Sequence, residues 1–323
     1  MHKDEHVVRM NKVINYIQHN LDQDLSLQVL AEQAAFSPYH FHRIFKQVVG
    51  IPVNAYVRRE KIERAAKMLV HNLNTELTSI ALDSGFSSVS TFSRAFKERF
   101  GMSATQYREQ YIASPNSKIC KTDSKDWQAI SPAERYDTYT AAAAESIIQR
   151  GFESMNVIVK KLPDLRVAYV RVYEGYEPSE LSASIDAAFN KVCGWVGARE
   201  LYAPETMVLG MFFDDNLVTS SSNRRYDAAV TVPGEVLTGT DGIDIQEIPT
   251  GQYASCRVEV DSSLPGAMGQ AVQQVDHAFK HILQDWLPTS AFQLVDQPML
   301  EWYVSGQETL TIVIEALIPI APK

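Results

Sequence analysis

Apolar positions in the first hundred residues recur at helical spacing, and the arrangement appears twice. In the first copy Leu27, Leu30 and Ala31 share one face, a break follows, and Phe41, Ile44 and Phe45 share the next. In the second copy Ile80 and Ala81 precede Phe92, Ala95 and Phe96. The offset between copies is 50 residues up to Ser37/Ser87 and 51 beyond, so one residue has been added at the second turn. Each copy predicts two short helices joined tightly. Ser26 and Ser37 are placed to cap the first pair, with Pro38 in the first turn where a missing N–H is harmless. Thr78, and then Ser87 or Ser88, are placed to cap the second pair, and Gly85 supplies the turn. A longer helix, Val53 to about Asn72, is predicted between the copies. It carries an apolar stripe (Tyr56, Val57, Ile62, Ala65, Ala66, Leu69) and a basic flank (Arg58, Arg59, Lys61, Arg64, Lys67).

From Met155 the period shortens to that of strands, interrupted by two amphipathic helices. Val157–Val159 and Val167–Tyr173 precede a helix at about 179–198, and strands follow at 207–213 and 226–232. The order recurs: 243–245, 253–260, a helix at about 265–286, then 300–304 and 310–319. The expected fold class is multidomain: an all-α double helix-turn-helix domain over 1–112, a linker over 113–154, and an α+β domain over 155–323. The last consists of two tandem β-β-α-β-β units, with a ligand cleft expected where they meet.

Charge sharpens this division. The chain of 323 residues carries a net charge of −9. Residues 1–112 hold 14 Lys and Arg against 11 Asp and Glu, +3, so the remainder is −12. A mildly basic module is joined to an acidic one that should repel phosphate. The three cysteines, Cys120, Cys193 and Cys256, have no metal-site spacing and suit a reducing compartment. With no N-terminal signal pattern and no apolar run of about 18 residues, a soluble cytoplasmic protein is expected, without membrane contact. No Ser/His/Asp spacing, phosphate loop or metal set marks an enzyme, and no cofactor or metal is expected. His277 and His281, four apart on a helix, read as a solvent-facing pair.

The second helix of each repeat turns polar residues outward: Tyr39, His42, Arg43 and Lys46 in one, Val89, Ser90, Ser93, Arg94 and Lys97 in the other. With a single connecting helix to fix their separation, two such helices about 34 Å apart can enter successive major grooves, which makes dimerisation unnecessary. Phe36-Ser37-Pro38-Tyr39-His40-Phe41, Arg43-Ile44-Phe45-Lys46, Gly85-Phe86-Ser87-Ser88, Phe92-Ser93-Arg94-Ala95-Phe96-Lys97 and Phe100-Gly101 resemble the DNA-binding domain of the AraC/XylS family. Ala35 departs from the family's usual Gly, and a β-carbon in a left-handed turn costs about 1 kcal/mol. The resemblance implies that Tyr39, His42, Arg43, Val89, Ser90, Ser93 and Arg94 face bases of double-stranded promoter DNA. Arginine suits this because its fork spans guanine O6 and N7. Ser37, Lys46, Arg59, Ser87 and Lys97 are the expected phosphate contacts, which set affinity more than sequence choice. Activation by recruitment of RNA polymerase is the implied outcome, with repression left open.

Residues 155–321 resemble the GyrI-like small-molecule-binding domain through Gly210-Met211-Phe212-Phe213-Asp214-Asp215, Arg225-Tyr226-Asp227-Ala228 and Leu300-Glu301-Trp302-Tyr303. Together with the first half this resembles a Rob-type arrangement. The resemblance implies that Glu301 lies in an aromatic pocket and attracts a cationic, lipophilic effector. Strand alternation puts Tyr303 on the face of Glu301, and Tyr169, Trp195 and Phe212 are candidate walls. Two other readings stay open: hydrolysis of a reactive small molecule with Glu301 as base, and a protein-docking module without a pocket.

Overall fold

Local capping chemistry sets the helix starts of the N-terminal half. The Ser37 hydroxyl accepts from the His40 N–H and Pro38 occupies the first turn of the helix that follows. The computed structural model describes residues 2–113, 155–173, 175–177, 182–216, 218–304 and 310–323. The linker expected at 113–154 lies, from residue 114 onward, outside them. The N-terminal helices are α1 (His2–His19), α2 (Leu27–Gln33), α3 (Pro38–Val49), α4 (Val53–His71), α5 (Leu77–Asp83), α6 (Val89–Phe100) and α7 (Ala104–Ala113). Ser88, not Ser87, caps α6, in a reciprocal box with Thr91. Thr78 falls inside the first turn of α5, and Glu76 takes the cap position without a side-chain bond.

The two turns differ in chemistry. Gly85 sits at φ +81°, and a β-carbon there would lie 1.8 Å from the Leu21 carbonyl oxygen, so only glycine fits. Ala35 holds φ 53°, the strained left-handed conformation expected where the family carries glycine. Two aromatic cores form around the ends of α4. Phe41, Phe45 and Tyr56 pack with α1 in one, and Phe92, Phe96 and Tyr107 in the other.

The C-terminal half is built on β1 (Val157–Leu162), β2 (Leu165–Val172), α8 (Ala183–Gly197), β3 (Val208–Phe212), β4 (Tyr226–Thr231), β5 (Asp244–Ile248), β6 (Gly251–Asp261), α9 (Ala267–His281), β7 (Phe292–Leu294), β8 (Met299–Tyr303) and β9 (Thr311–Pro322). Among the described residues these form one nine-stranded sheet, β1-β6-β9-β8-β3-β4-β2-β5, with β7 on β9 and every pairing antiparallel. Both helices cover one face of the sheet, where Ala168, Tyr226, Ala228 and Ile314 point. Val167, Tyr169, Leu209, Ala229 and Leu300 form the core of the other face. Strand alternation, not composition, decides which side each residue serves.

The acidic half docks on the back of the helical half. The 213–225 loop between β3 and β4 inserts Val218, fully buried, into the core of the second helix-turn-helix unit. Thr219 donates its hydroxyl to Glu63 at 2.9 Å, and His71 meets Asp215 at 2.6 Å. Arg225 is held by Asp214, pairs with Glu60 of α4 at 2.9 Å and donates to the Tyr56 hydroxyl. Arg64 reaches Asp296 at 3.0 Å, and Asn72 exchanges two hydrogen bonds with the Leu294 backbone. Burial disfavours ionisation of Asp214, but the Arg225 guanidinium outweighs it and holds the carboxyl below its usual range. Glu63 is less closely matched, with the Arg99 guanidinium 3.6 Å away, and burial still pushes its carboxyl up to about 7.

Candidate functional site

The expected reading faces of both helix-turn-helix units are open. On α3 the buried side is Phe41, Ile44 and Phe45, so helical periodicity sends Tyr39, His42, Arg43 and Lys46 outward, and all four are exposed. On α6, Phe92, Ala95 and Phe96 are buried, and Val89, Ser90, Ser93, Arg94 and Lys97 are exposed. Ser37 and Ser87, at the two helix starts, are exposed as well, where helix N-termini present free N–H groups.

Arg59 is a correction. It does not share this surface: its side chain is 13 % exposed, sits 3.6 Å from Glu60 and donates to Asn223 of the β3–β4 loop. The neighbouring basic residues are engaged in the same way. Arg58 pairs with Glu98, Lys61 donates to the Gly85 carbonyl, and Arg64 and Lys67 face Asp296. The basic flank of α4 therefore serves intramolecular contacts, chiefly with the acidic half. No local pattern distinguishes a flank that meets carboxylates from one that meets phosphates.

The second site lies between the sheet and the two helices of the C-terminal half. A cavity of about 360 Å³ opens over β8, within the usual range for small-molecule pockets. Its walls include Tyr176, Phe189, Phe212, Tyr226 and Tyr303, and Glu301 lies at its floor. Cross-strand pairing places Gly210 opposite both Glu301 and Ala228, while Phe212 pairs with Tyr226. The Tyr226 and Tyr303 hydroxyls both donate to Glu301 Oε2, at 3.2 and 3.0 Å. The rings pack edge to face, Tyr226 at 5.0 Å from Phe212 and Phe189 at 5.3 Å from Tyr303. Burial pushes the Glu301 carboxyl up to about 7, against the pull of the two hydroxyls, and Asp276 adds to the rise. A carboxylate held between phenols in an aromatic box can satisfy a desolvated cation by charge and by ring faces.

Of the expected wall residues, the structure brings Phe212 and Tyr303 to Glu301 but not Tyr169 or Trp195. Tyr169 pairs with Ala229 on β4 and points to the opposite face, where it is fully buried and its hydroxyl bonds Asn15 and Asp244. Trp195 lies on the sheet-facing side of α8, its indole N–H donating to Thr240 and its ring stacked under Arg199. Ile185, Phe189 and Cys193 form the pocket side of that helix instead. Tyr176, Phe189, Tyr226 and Gly210 were not among the expected site residues. Gly210 did carry a signal, since a lone glycine inside a strand marks a close approach. A β-carbon there would lie 2.0 Å from the Tyr226 hydroxyl and 2.9 Å from Glu301 Oε2.

Residues 155–321 match the family model of the GyrI-like small molecule binding domain, and residues 30–110 match that of a helix-turn-helix domain. The chain belongs to the GyrI-like family and carries an AraC-type helix-turn-helix domain ahead of that module. It is similar to the regulatory protein PocR of Salmonella typhimurium, 35% identical over 105 residues, 32% of this chain and 34% of PocR. The HTH-type transcriptional activator AarP of Providencia stuartii is 34% identical over 99 residues, 31% of this chain and 73% of AarP. The right origin-binding protein of Escherichia coli strain K12 is 38% identical over 93 residues, 29% of this chain and 32% of that protein. The chain thus spans about a third of PocR and of the right origin-binding protein, and most of AarP. No helix among the described residues is long and apolar enough to cross a membrane.

Proposed function

We propose that this protein is a sequence-specific DNA-binding transcription regulator, acting in the cytoplasm, whose C-terminal domain takes up a small cationic, lipophilic effector. One observation carries the reading. The acidic half packs on α1 and α4 and leaves the polar faces of α3 and α6 exposed. A reader of two grooves can then be tied to an effector domain without being covered by it. In this reading residues 1–112 form the DNA-binding domain and 155–323 the effector domain, built as two β-β-α-β-β units. Tyr39, His42, Arg43, Val89, Ser90, Ser93 and Arg94 read bases, and Ser37, Lys46, Ser87 and Lys97 hold phosphates. Glu301, Tyr303 and Phe212, with Tyr226 and Tyr176, bind the effector. A single chain carries both readers and can act as a monomer, and activation proceeds through RNA polymerase.

Selection of bound duplexes from a random pool, followed by binding titrations, tests this. Arg43→Ala should lose about 1–3 kcal/mol on the selected site and relax the preference at one base pair. Lys46→Ala should weaken all duplexes alike and flatten the salt dependence. An Arg43→Ala loss equal on every sequence would remove the base-reading role. A hydrolytic reading has one observation in its favour: a carboxyl at about 7 is poised for general-base work. Turnover of an electrophilic ligand, abolished by Glu301→Gln, would support it.

A further inference from the structure

The cavity over Glu301 is more acidic than one cation requires. Glu177 and Asp186 also line it, and no Lys, Arg or His is among its described lining residues. Glu177 is already occupied, because the Arg224 guanidinium stands 3.3 Å from its carboxylate. Arg224 is only 3 % exposed. Its remaining donors reach the backbone carbonyls of Thr219 at 3.1 Å, Tyr176 at 3.3 Å and Asn216 at 3.0 Å. Of these, Thr219 and Asn216 belong to the β3–β4 loop, and Tyr176 belongs to the pocket wall. The seam is tight, since the Tyr176 N–H donates to the Ser221 carbonyl and a β-carbon on Gly175 would lie 2.2 Å from that oxygen. The same loop buries Val218 in the second helix-turn-helix core and ties Thr219 to Glu63 of α4. One arginine therefore joins a pocket carboxylate to the loop that anchors the effector domain on the DNA-binding domain.

We propose that the pocket is built for an effector with two cationic centres, the inner one on Glu301 and the outer one taking Glu177 from Arg224, which loosens the loop at 213–225. This rests on the effector reading above and names its ligand class and its route to the DNA-binding domain. Arg224 acts as an internal counter-ion that a second ligand cation replaces. Deprived of Glu177, it is a buried guanidinium with carbonyl partners but no paired charge, which is costly. The bonds it makes across the loop then weaken, and the seat of Val218 with them. A monocation satisfies Glu301 alone and leaves Arg224 in place. Asp186, in the first turn of α8, adds to the outer field that favours the second charge.

Two probes of one shape test this: benzyl viologen, with two pyridinium centres, and 1-benzyl-4-(4-benzylphenyl)pyridinium, with one. Calorimetric titration of the full chain should give about tenfold tighter binding of the dication, one charge-assisted contact's worth. Glu177→Gln with Asp186→Asn should erase that preference, bringing the dication's affinity down to that of the monocation, whereas Glu301→Gln should weaken both probes. Hydrogen exchange in 213–225 should rise with the dication and not with the monocation. Equal binding of both probes through Glu301, or a preference that survives the double substitution, overturns this inference and leaves the effector reading intact. Failure of both probes to bind, or binding indifferent to Glu301→Gln, overturns the effector reading and this inference with it.

Discussion

A methyl group at Gly210 gives a sharp test of how the Glu301 site is assembled. Replacing Gly210 by Ala puts a β-carbon 2.0 Å from the Tyr226 hydroxyl, 2.7 Å from Cζ of the same ring and 2.9 Å from Glu301 Oε2. Ordinary contact begins near 3.4 Å, so the hydroxyl must move by roughly 1.4 Å. It cannot move freely. Tyr226 is 2 % exposed and packs edge to face on Phe212 and Tyr176, at 5.0 and 5.6 Å. Overpacking of this kind costs about 1–3 kcal/mol. Displacing the ring also breaks the 3.2 Å bond from Tyr226 to Glu301. A hydrogen bond to a charged group contributes about 1.5–3 kcal/mol. The expected outcome is a chain that still folds, melts several degrees lower, and binds a lipophilic cation at least about tenfold more weakly. Thermal denaturation and calorimetric titration read the two effects separately. Tyr226→Phe alone should weaken binding and lose only the hydrogen bond's share of stability, not the overpacking cost, and the two substitutions should not be additive. A Gly210→Ala protein with unchanged melting temperature and cation affinity would refute the argument that this strand is glycine to make room for the hydroxyl and the carboxylate.

Two further outcomes concern the turn at Ala35 and the ionisation of Glu301. Ala35→Gly should raise stability, because relief of the left-handed strain, about 1–2 kcal/mol, exceeds the entropy that glycine adds to the unfolded chain, about 0.4–1 kcal/mol. A gain of about 1 kcal/mol in urea denaturation is expected, and a loss would contradict the assigned turn. Cation uptake should depend on pH through Glu301, whose burial lifts it to about 7. Because the folded carboxyl keeps its proton above the unfolded value, this group's contribution to stability is full at low pH and declines as pH rises from about 4.5 to 7. Cation binding requires the ionised form, so affinity should rise about tenfold from pH 5.5 to 6.5 and level off above about 7.5, with Glu301→Gln removing the slope.

The parts of this architecture set by neighbours in sequence could be read before the fold was seen. Ser37-Pro38 announces a helix start, and Phe41 with Phe45 fixes which side is buried, so the exposure of Arg43 and Lys46 followed. Thr78 misled because a cap-type residue two positions past the true cap, Glu76, still looks like a cap. In the acidic half the site was legible within β8, and of the three walls expected from other elements only Phe212 reached it. Glu301 and Tyr303 share a face by alternation alone. Tyr169 was misplaced because its side of the sheet depends on its pairing with Ala229 on the adjacent strand β4, which β2 itself does not specify. Trp195 was misplaced because both sides of α8 are apolar, one meeting the sheet and the other the cavity. Arg59 was misassigned for a different reason. Its residue type fits phosphate, but the acidic half covers that flank of α4, and only the docked arrangement brings Asn223 to it.

Docking of an acidic domain onto a basic connecting helix also explains how a chain of net charge −9 can present a DNA-reading surface. Carboxylates at Asp214, Asp215 and Asp296 are consumed by Arg225, His71, Arg64 and Lys67 within the molecule. The exposed faces of α3 and α6 retain Arg43, Lys46, Arg94 and Lys97.

In the proposed mechanism a dication seated on Glu301 and Glu177 is felt at the expected reading helices through the loop between β3 and β4. The most direct measurement is the affinity of the full chain for its selected duplex, with and without saturating benzyl viologen, for the native protein and for Glu177→Gln with Asp186→Asn. A several-fold change in Kd is expected for the native protein and none for the variant. A native protein that binds the dication at Glu301 while its Kd for the duplex stays the same would contradict it.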